Sequence, residues 1–259
     1  MAGTAVRKIS DVARQGLPTD KVVRKIFEAF NTWAYKREQP SDAAMLRDVV
    51  ERAVITTAPV PFVLYWGKGP RNHLAEPDEA CLDYLASMGE RIRAEHAPGA
   101  AFEILLTDTH ARLNRHNEAE IETYYRDIDA AASKRGFRTR RLSEVVASVA
   151  PAPVAVNDAA IDPDLLIELT KSASKWYGGE GAARFGAIQY YAMNMTERRA
   201  VEAAYPHAIF ATFNDNRFRQ LFPANMPIFY MYSLRKGFGV KPWFIGDVNE
   251  TATAAPARA

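Results

Sequence analysis

The sequence predicts an α/β fold, in which a Rossmann-like, mostly parallel sheet with flanking helices follows an N-terminal helical extension. A continuous apolar run from Val60 to Trp66 is typical of a strand that is covered on both faces. Such strands alternate with segments whose apolar residues recur at helical spacing, which is the pattern of a doubly wound sheet. Polar or cationic residues follow the strands, at the edge where open α/β sheets bind ligands.

Composition narrows the class of protein. The 259 residues are 48% hydrophobic and 25% charged, as in ordinary globular proteins. The net charge is +2, with 33 basic residues scattered among 31 acidic ones, so we expect no nucleic-acid partner. A single cysteine, Cys81, excludes an internal disulfide and favours a reducing, cytoplasmic setting. We expect no membrane insertion, because no apolar stretch is long enough and Met1 to Arg14 do not form a signal peptide.

The first half of the chain alternates helices and strands. Two helices between about Lys21 and Val54 make up the extension, residues 1–55, and residues 56–150 form the first half of the α/β domain. The predicted order after the extension is a strand at Val60–Trp66, a helix that begins at Glu76–Pro77, a strand at Phe102–Leu106, a helix at Glu118–Lys134 and a short segment at Phe137–Leu142.

The second half repeats the alternation. Residues 151–164, rich in proline, alanine and aspartate, predict a linker or a long loop before the second half at 165–250. Helices are predicted at Leu165–Trp176 and Phe185–Arg199, and strands at Ala208–Phe213 and Ile228–Ser233. The alanine-rich residues 251–259 predict a disordered tail.

A glycine-rich, cationic loop follows the first strand at Gly67–Asn72. Its glycines let the backbone approach a ligand closely, while Lys68 and Arg71 supply donors to a phosphate or carboxylate. A desolvated Lys68 could instead attack a carbonyl as a neutral amine. The loop lacks the glycine spacing and the hydroxyl residue of a Walker loop. A tight surface turn with solvated cations is the plainer alternative.

Thr107–His110, with Asn114 and His116, place a carboxylate, two imidazoles and an amide after the second strand. This mixture suits general acid/base chemistry, and we take Asp108 and His110 as catalytic candidates. A metal set of Asp108, His110 and His116 matches no standard template, so we assign no metal, and no cofactor is clearly implied. The structural alternative is a capped turn, in which Asn114 or Asn117 opens the next helix.

Two later segments add candidate binding residues. Asn214, Asn216 and Arg217 follow a strand, where they could orient a substrate or make turns. Arg235, Lys236 and Trp243 belong to a basic, glycine-containing segment that suits phosphate and equally suits an exposed hairpin.

Taken together, these motifs resemble the isonitrile (isocyanide) synthase family, also described as the pyoverdine/dityrosine biosynthesis family. The resemblance covers roughly residues 50 to 145, with a fainter echo at Lys241–Trp243. The pieces that correspond to family motifs are Pro61–Leu64, Lys68–Asn72, Pro77–Glu79, Thr107–Thr109 and the helix that contains Tyr124. The chain is a divergent case, since Gly69 stands where the family has serine and Phe244 where it has histidine.

Family members join the amine of an amino acid to a carbon taken from a pentulose phosphate. The resemblance therefore implies a biosynthetic enzyme of secondary metabolism that acts on an amino acid or related amine, together with a pentose phosphate. It implies that Lys68 acts on the carbonyl or binds the phosphate, that Asp108 serves as acid or base, and that Asn72 and Glu79 contact the substrate. The chain could act as a homodimer. Two other functions stay open: an aminoacyl or nucleotidyl transferase on a Rossmann-like sheet, and a non-catalytic module that binds an acidic metabolite.

Overall fold

The computed structural model describes residues 18–67, 73–156, 158–176 and 183–231. Several predictions fall outside these ranges: the candidate residues Lys68, Arg71, Asn72, Arg235, Lys236 and Trp243, and the tail at 251–259.

The predicted α/β fold is confirmed, with a sheet of five parallel strands in the order β3-β2-β1-β4-β5. The strands are β1 (Val60–Trp66), β2 (Ala100–Leu106), β3 (Arg138–Arg141), β4 (Ile209–Thr212) and β5 (Ile228–Tyr230). The chain builds from β1 outward to β3 and then returns past β1 to β4. The order of strands therefore reverses between β1 and β4, which is where open α/β sheets form a ligand crevice.

Helices cover both faces of the sheet. In chain order they are α1 (Pro18–Phe30), α2 (Ala43–Thr56), α3 (Glu76–Glu95), α4 (Asp108–Leu113), α5 (Glu118–Ser133), α6 (Leu142–Val149), α7 (Pro163–Trp176) and α8 (Ala183–Ala204), with short 3₁₀ turns at Asp158–Ala160 and Asn216–Leu221. None of the helices in the described part of the chain is both long and apolar enough to cross a membrane.

The two faces of the sheet have separate apolar cores. Phe62, Leu64 and Trp66 of β1 join the core formed with α1, α2, α3 and α5. The intervening Val63 joins the core beneath α6, α7 and α8, and the half-buried Tyr65 packs against it. Successive side chains of a strand point to opposite faces, so β1 is apolar throughout because both faces are covered.

The N-terminal helices pack directly on this sheet. Ile26 and Phe30 of α1 are fully buried, and Phe30 meets Phe62 and Phe229 edge to face at 5.5 and 5.2 Å between ring centroids. Cys81 is buried in the same core, as the apolar face of its helix indicates.

Local sequence signals explain several helix boundaries. Helix α3 begins at Glu76, with Pro77 and three acids in its first turn. The Asn117 side chain accepts a hydrogen bond from the backbone of Glu120 and so caps α5. The polar residues that follow the second strand were not predicted to be helical, but Asp108–Leu113 forms the short helix α4, whose first bond runs from the Ala111 amide to the Thr107 carbonyl.

Candidate active site

The candidate active site lies at the carboxyl edge of β1, β2 and β4. Gly67 directly follows β1 and has a φ of 80°. Glycine adopts this left-handed conformation without strain, so the chain can turn sharply there. The Thr107 hydroxyl donates to the backbone carbonyl of Trp66 at 2.9 Å and lies 2.5 Å from that of Gly67. The ends of β1 and β2 are thereby held together immediately before the cationic loop.

Asp108 is buried, with 2% of its surface exposed. Its carboxylate accepts hydrogen bonds from the Ser143 amide at 3.0 Å, the Ser143 hydroxyl at 2.5 Å and Arg112 Nη1 at 2.7 Å. Arg112 in turn binds Glu118 through two nitrogens. The polar network therefore joins α4 to the first turns of α5 and α6.

The surroundings of Asp108 favour its charged form. Burial raises its pKa, but the hydrogen bonds from Ser143 and the bond and charge of Arg112 outweigh burial and hold the pKa below its ordinary value. At neutral pH Asp108 is therefore a carboxylate whose two oxygens are both occupied. Such a group can orient its neighbours, whereas it accepts a proton from a substrate poorly.

Asp108 binds Ser143 of α6, whereas His110 points toward helix α8 and contacts Glu197 of that helix. The His110 Nε2 and Glu197 Oε2 atoms are 2.8 Å apart, and the Thr109 hydroxyl donates to Glu197 Oε1 at 2.5 Å. Both side chains are buried, with exposures of 5% for His110 and 2% for Glu197. A histidine held by a carboxylate is the arrangement that general bases use.

Two tyrosines pack around this pair. The rings of Tyr65 and Tyr190 meet the His110 imidazole edge to face, at centroid distances of 6.1 and 5.1 Å. Burial, followed by the negative charge of Glu197, raises the pKa of both phenols. Both tyrosines therefore stay neutral at physiological pH and can donate hydrogen bonds.

The ion pairs of Glu79 and His116, two other candidate residues in the first half of the chain, involve neither Asp108 nor His110. Glu79 pairs at 2.5 Å with Arg135, which lies just after α5, and His116, in the connection before α5, lies 3.6 Å from Glu120 of that helix. Asn114 ends α4 and is not the residue that caps α5. Asp108, His110 and His116 have different partners, and the described residues hold no group of three or more His, Cys, Asp or Glu side chains suited to a metal.

The segment after β4 is organised by Asp215, which sequence analysis did not select. Its carboxylate accepts from the Arg217 backbone and side chain and from Arg37. The backbone N–H of Asn216 donates to the Glu38 carboxylate at 2.8 Å, and the backbone N–H of Asn214 donates to the Thr212 hydroxyl at 3.1 Å. These contacts match the turn-forming alternative for Asn216 and Arg217, and their role toward a substrate stays a prediction.

Sequence analysis also missed Glu197 and Ser143. Glu197 carried a detectable signal, because Tyr190, Asn194, Glu197 and Val201 recur at the spacing of one helix face, and Glu197 is the one charged residue among these four. A charged residue at such a position needs a buried partner. Ser143 carried no comparable signal, since serine is common at the start of a helix.

Comparison with solved structures finds a shared fold. The crystal structure of PvcA from Pseudomonas aeruginosa matches with a TM-score of 0.60 and 16% sequence identity, over 86% of this chain and 87% of that chain. No protein-family model matches the sequence, and no curated protein sequence does. The chain thus has the α/β fold of PvcA over most of its length.

Proposed function

We propose that this protein is a biosynthetic enzyme of secondary metabolism that transforms the amine of an amino acid or related compound with a pentulose phosphate, as isonitrile synthases do. The observation that carries the proposal is the His110 imidazole held by Glu197, next to the buried carboxylate Asp108, at the carboxyl edge of the sheet beside the point where strand order reverses. The shared fold with PvcA and the motif resemblance support the same reading.

The roles follow from the surroundings of each group. His110, held by Glu197, is the candidate base that removes a proton from the amine as the amine nitrogen adds to the carbonyl carbon of the pentulose phosphate and the π electrons of the C=O bond move to its oxygen. Asp108 keeps the first turn of α4 in place through Ser143 and Arg112. Lys68 remains the proposed partner of the carbonyl or phosphate. A carboxylate and an imidazole at this edge, together with a lysine that directly follows Gly67 in the sequence, suit the joining of an amine to a sugar phosphate.

Product analysis tests the proposal. Purified protein is incubated with a panel of amino acids and a pentulose phosphate, and mass spectrometry searches for products in which the amine has become an isonitrile. Replacing His110 with asparagine should lower the rate by at least about 100-fold. The exposed His207, which precedes β4 at the opposite edge of the sheet, provides the matched control, and His207→Asn should keep the rate.

Ligand-dependent melting separates this proposal from its alternatives. Stabilisation by pentulose phosphates is the expected result, because a ligand that binds the folded state raises the melting temperature. Stabilisation by nucleotides in place of pentulose phosphates would favour the transferase alternative. If neither class stabilised the protein and no isonitrile formed, the proposal would be wrong.

A further inference from the structure

We propose that Glu197 is a positioning residue that fixes the ring of His110 in one tautomer, an inference that rests on the proposed role of His110 as the base of the reaction. Glu197 lies 87 residues beyond His110 in the chain, and folding brings α8 against α4 at the carboxyl edge of the sheet.

The first step of the argument is the direction of the hydrogen bond. A carboxylate has only acceptor atoms, so the 2.8 Å contact with Glu197 Oε2 requires His110 Nε2 to donate. In a neutral imidazole the proton then lies on Nε2, and Nδ1 is the atom that can accept a proton. Glu197 thereby decides which ring nitrogen acts as the base.

The second step is the restraint on the carboxylate itself. Its other oxygen accepts from the Thr109 hydroxyl at 2.5 Å, so neighbouring residues of α4 hold both oxygens of one Glu197 side chain. Rotation of the carboxylate would break one of these bonds. The rings of Tyr65 and Tyr190 also contact the imidazole, which limits the rotation of the His110 ring.

The third step concerns charge. Glu197 has 2% of its side chain exposed, and among the described residues its ion pair is with His110, with no lysine or arginine in salt-bridge range. Burying a carboxylate costs free energy unless a partner compensates. Since the imidazole is that partner, the positive charge that a base acquires during the reaction would be stabilised by Glu197.

Three variants test the proposal. Glu197→Gln keeps the size of the side chain, but its amide can donate to Nε2 as well as accept from it. Glu197→Asp keeps a carboxylate, so it should retain more of the wild-type tautomer preference of His110 and of the wild-type kcat than Glu197→Gln does. Glu202→Gln removes another carboxylate of the same helix, whose contacts are with Ala224 and Asn225, and is the matched control.

Nitrogen-15 NMR of the histidine rings gives a readout that does not depend on activity. We expect His110, assigned by the signal that His110→Asn removes, to carry its proton on Nε2 in the wild type and in Glu202→Gln. In Glu197→Gln the proton should be distributed over both nitrogens. In the activity assay, kcat should fall about 10-fold or more in Glu197→Gln with little change in KM, because Glu197, with 2% of its side chain exposed, is inaccessible to a substrate.

Two outcomes would overturn the proposal. One is a wild-type His110 that carries its proton on Nδ1, and the other is a Glu197→Gln variant with an unchanged tautomer and unchanged kcat. If Glu197→Gln fails to fold, Thr109→Val removes only the second contact of the carboxylate and should produce a smaller shift in the same direction. If the wild type forms no isonitrile, the proposed function fails, while the NMR result still decides whether Glu197 positions the ring.

Discussion

Buried polar side chains at the carboxyl edge of the sheet differ in how fully they are hydrogen-bonded. Tyr124 donates to Asp78 Oδ1 at 3.1 Å and accepts from the Trp66 indole at 3.4 Å. The Tyr65 hydroxyl is also buried, yet it forms no hydrogen bond with any residue in the described ranges. The two hydroxyl groups therefore contribute to stability with opposite signs, since an unsatisfied buried hydroxyl costs free energy.

Removing the two hydroxyls separately tests this difference. Tyr124→Phe should lower the free energy of unfolding by about 1–2 kcal/mol, because Asp78 and Trp66 each lose a hydrogen-bond partner. Tyr65→Phe should leave it unchanged or raise it by up to about 1 kcal/mol. Urea denaturation of the two variants beside the wild type gives both values. A loss of stability in Tyr65→Phe as large as that in Tyr124→Phe would contradict the assignment.

At the scale of elements, side chains at the ends of strands and helices fix the angles between secondary structures. Asp108, in the first turn of α4, accepts hydrogen bonds from both the backbone N–H and the hydroxyl of Ser143, in the first turn of α6. Its bond to Arg112 reaches α5 through Glu118. One buried carboxylate thereby joins three helices that no backbone hydrogen bond connects.

Asp108→Asn should lower the free energy of unfolding by about 2–3 kcal/mol at neutral pH, because hydrogen bonds to a charged group are stronger than those to an amide. The pKa of Asp108 is lower in the folded protein, so its stabilisation is present above the unfolded pKa of about 3.9 and disappears as the pH falls through the folded value. Urea denaturation of both proteins across this range should show the difference shrinking on acidification. Asp48→Asn, at an exposed position, is the control and should change stability little at any pH.

At the scale of the whole molecule, the segment between α1 and α2 hydrogen-bonds to the edge strand β5 and so closes off that edge of the sheet. The Arg37 amide donates to the Tyr230 carbonyl at 2.9 Å, and Lys36 forms an isolated antiparallel bridge with Met231. Ser41 bonds to both backbone groups of Ile228. The N-terminal helices are thus joined to β5, the last strand of the described part of the chain, and the edge of β5 is covered.

Asp215 reinforces this closure, so Asp215→Asn should lower the free energy of unfolding by about 1.5–3 kcal/mol. Its carboxylate is mostly buried and binds Arg37 and Arg217. Burial raises the pKa of Asp215, but the hydrogen bonds from Arg217 and the charges of both arginines outweigh burial and hold the pKa below its ordinary value. Arg217→Gln should cost only about 0–1 kcal/mol, because the Arg217 side chain is 65% exposed. Thermal and urea unfolding measure both variants. Equal losses in the two would show that the surface pair, and not the contact with Arg37, supplies the stability.

Sequence patterns predicted the fold well because they are local. The continuous apolarity of Val60–Trp66 indicated a strand covered on both faces, and Pro77 and Asn117 marked helix starts where the structure has them. Asp108 and His110 were selected because polar residues follow a buried strand, and the structure places both at that edge. Nothing local indicated that their side chains point to different helices, Asp108 to α6 and His110 to α8.

The sequence by itself determined the α/β class, the order of the longer strands and helices along the chain, and the strand ends at which polar groups gather, whereas the short helices α4 and α6 were not predicted. Its period-two and period-3.6 patterns depend only on neighbouring residues. Only the tertiary structure decided that β4 returns beside β1, that Glu197 and Ser143 are the partners of His110 and Asp108, and that Asp215 binds Arg37. Those contacts join positions tens of residues apart, and they depend on how the helices pack on the two faces of the sheet.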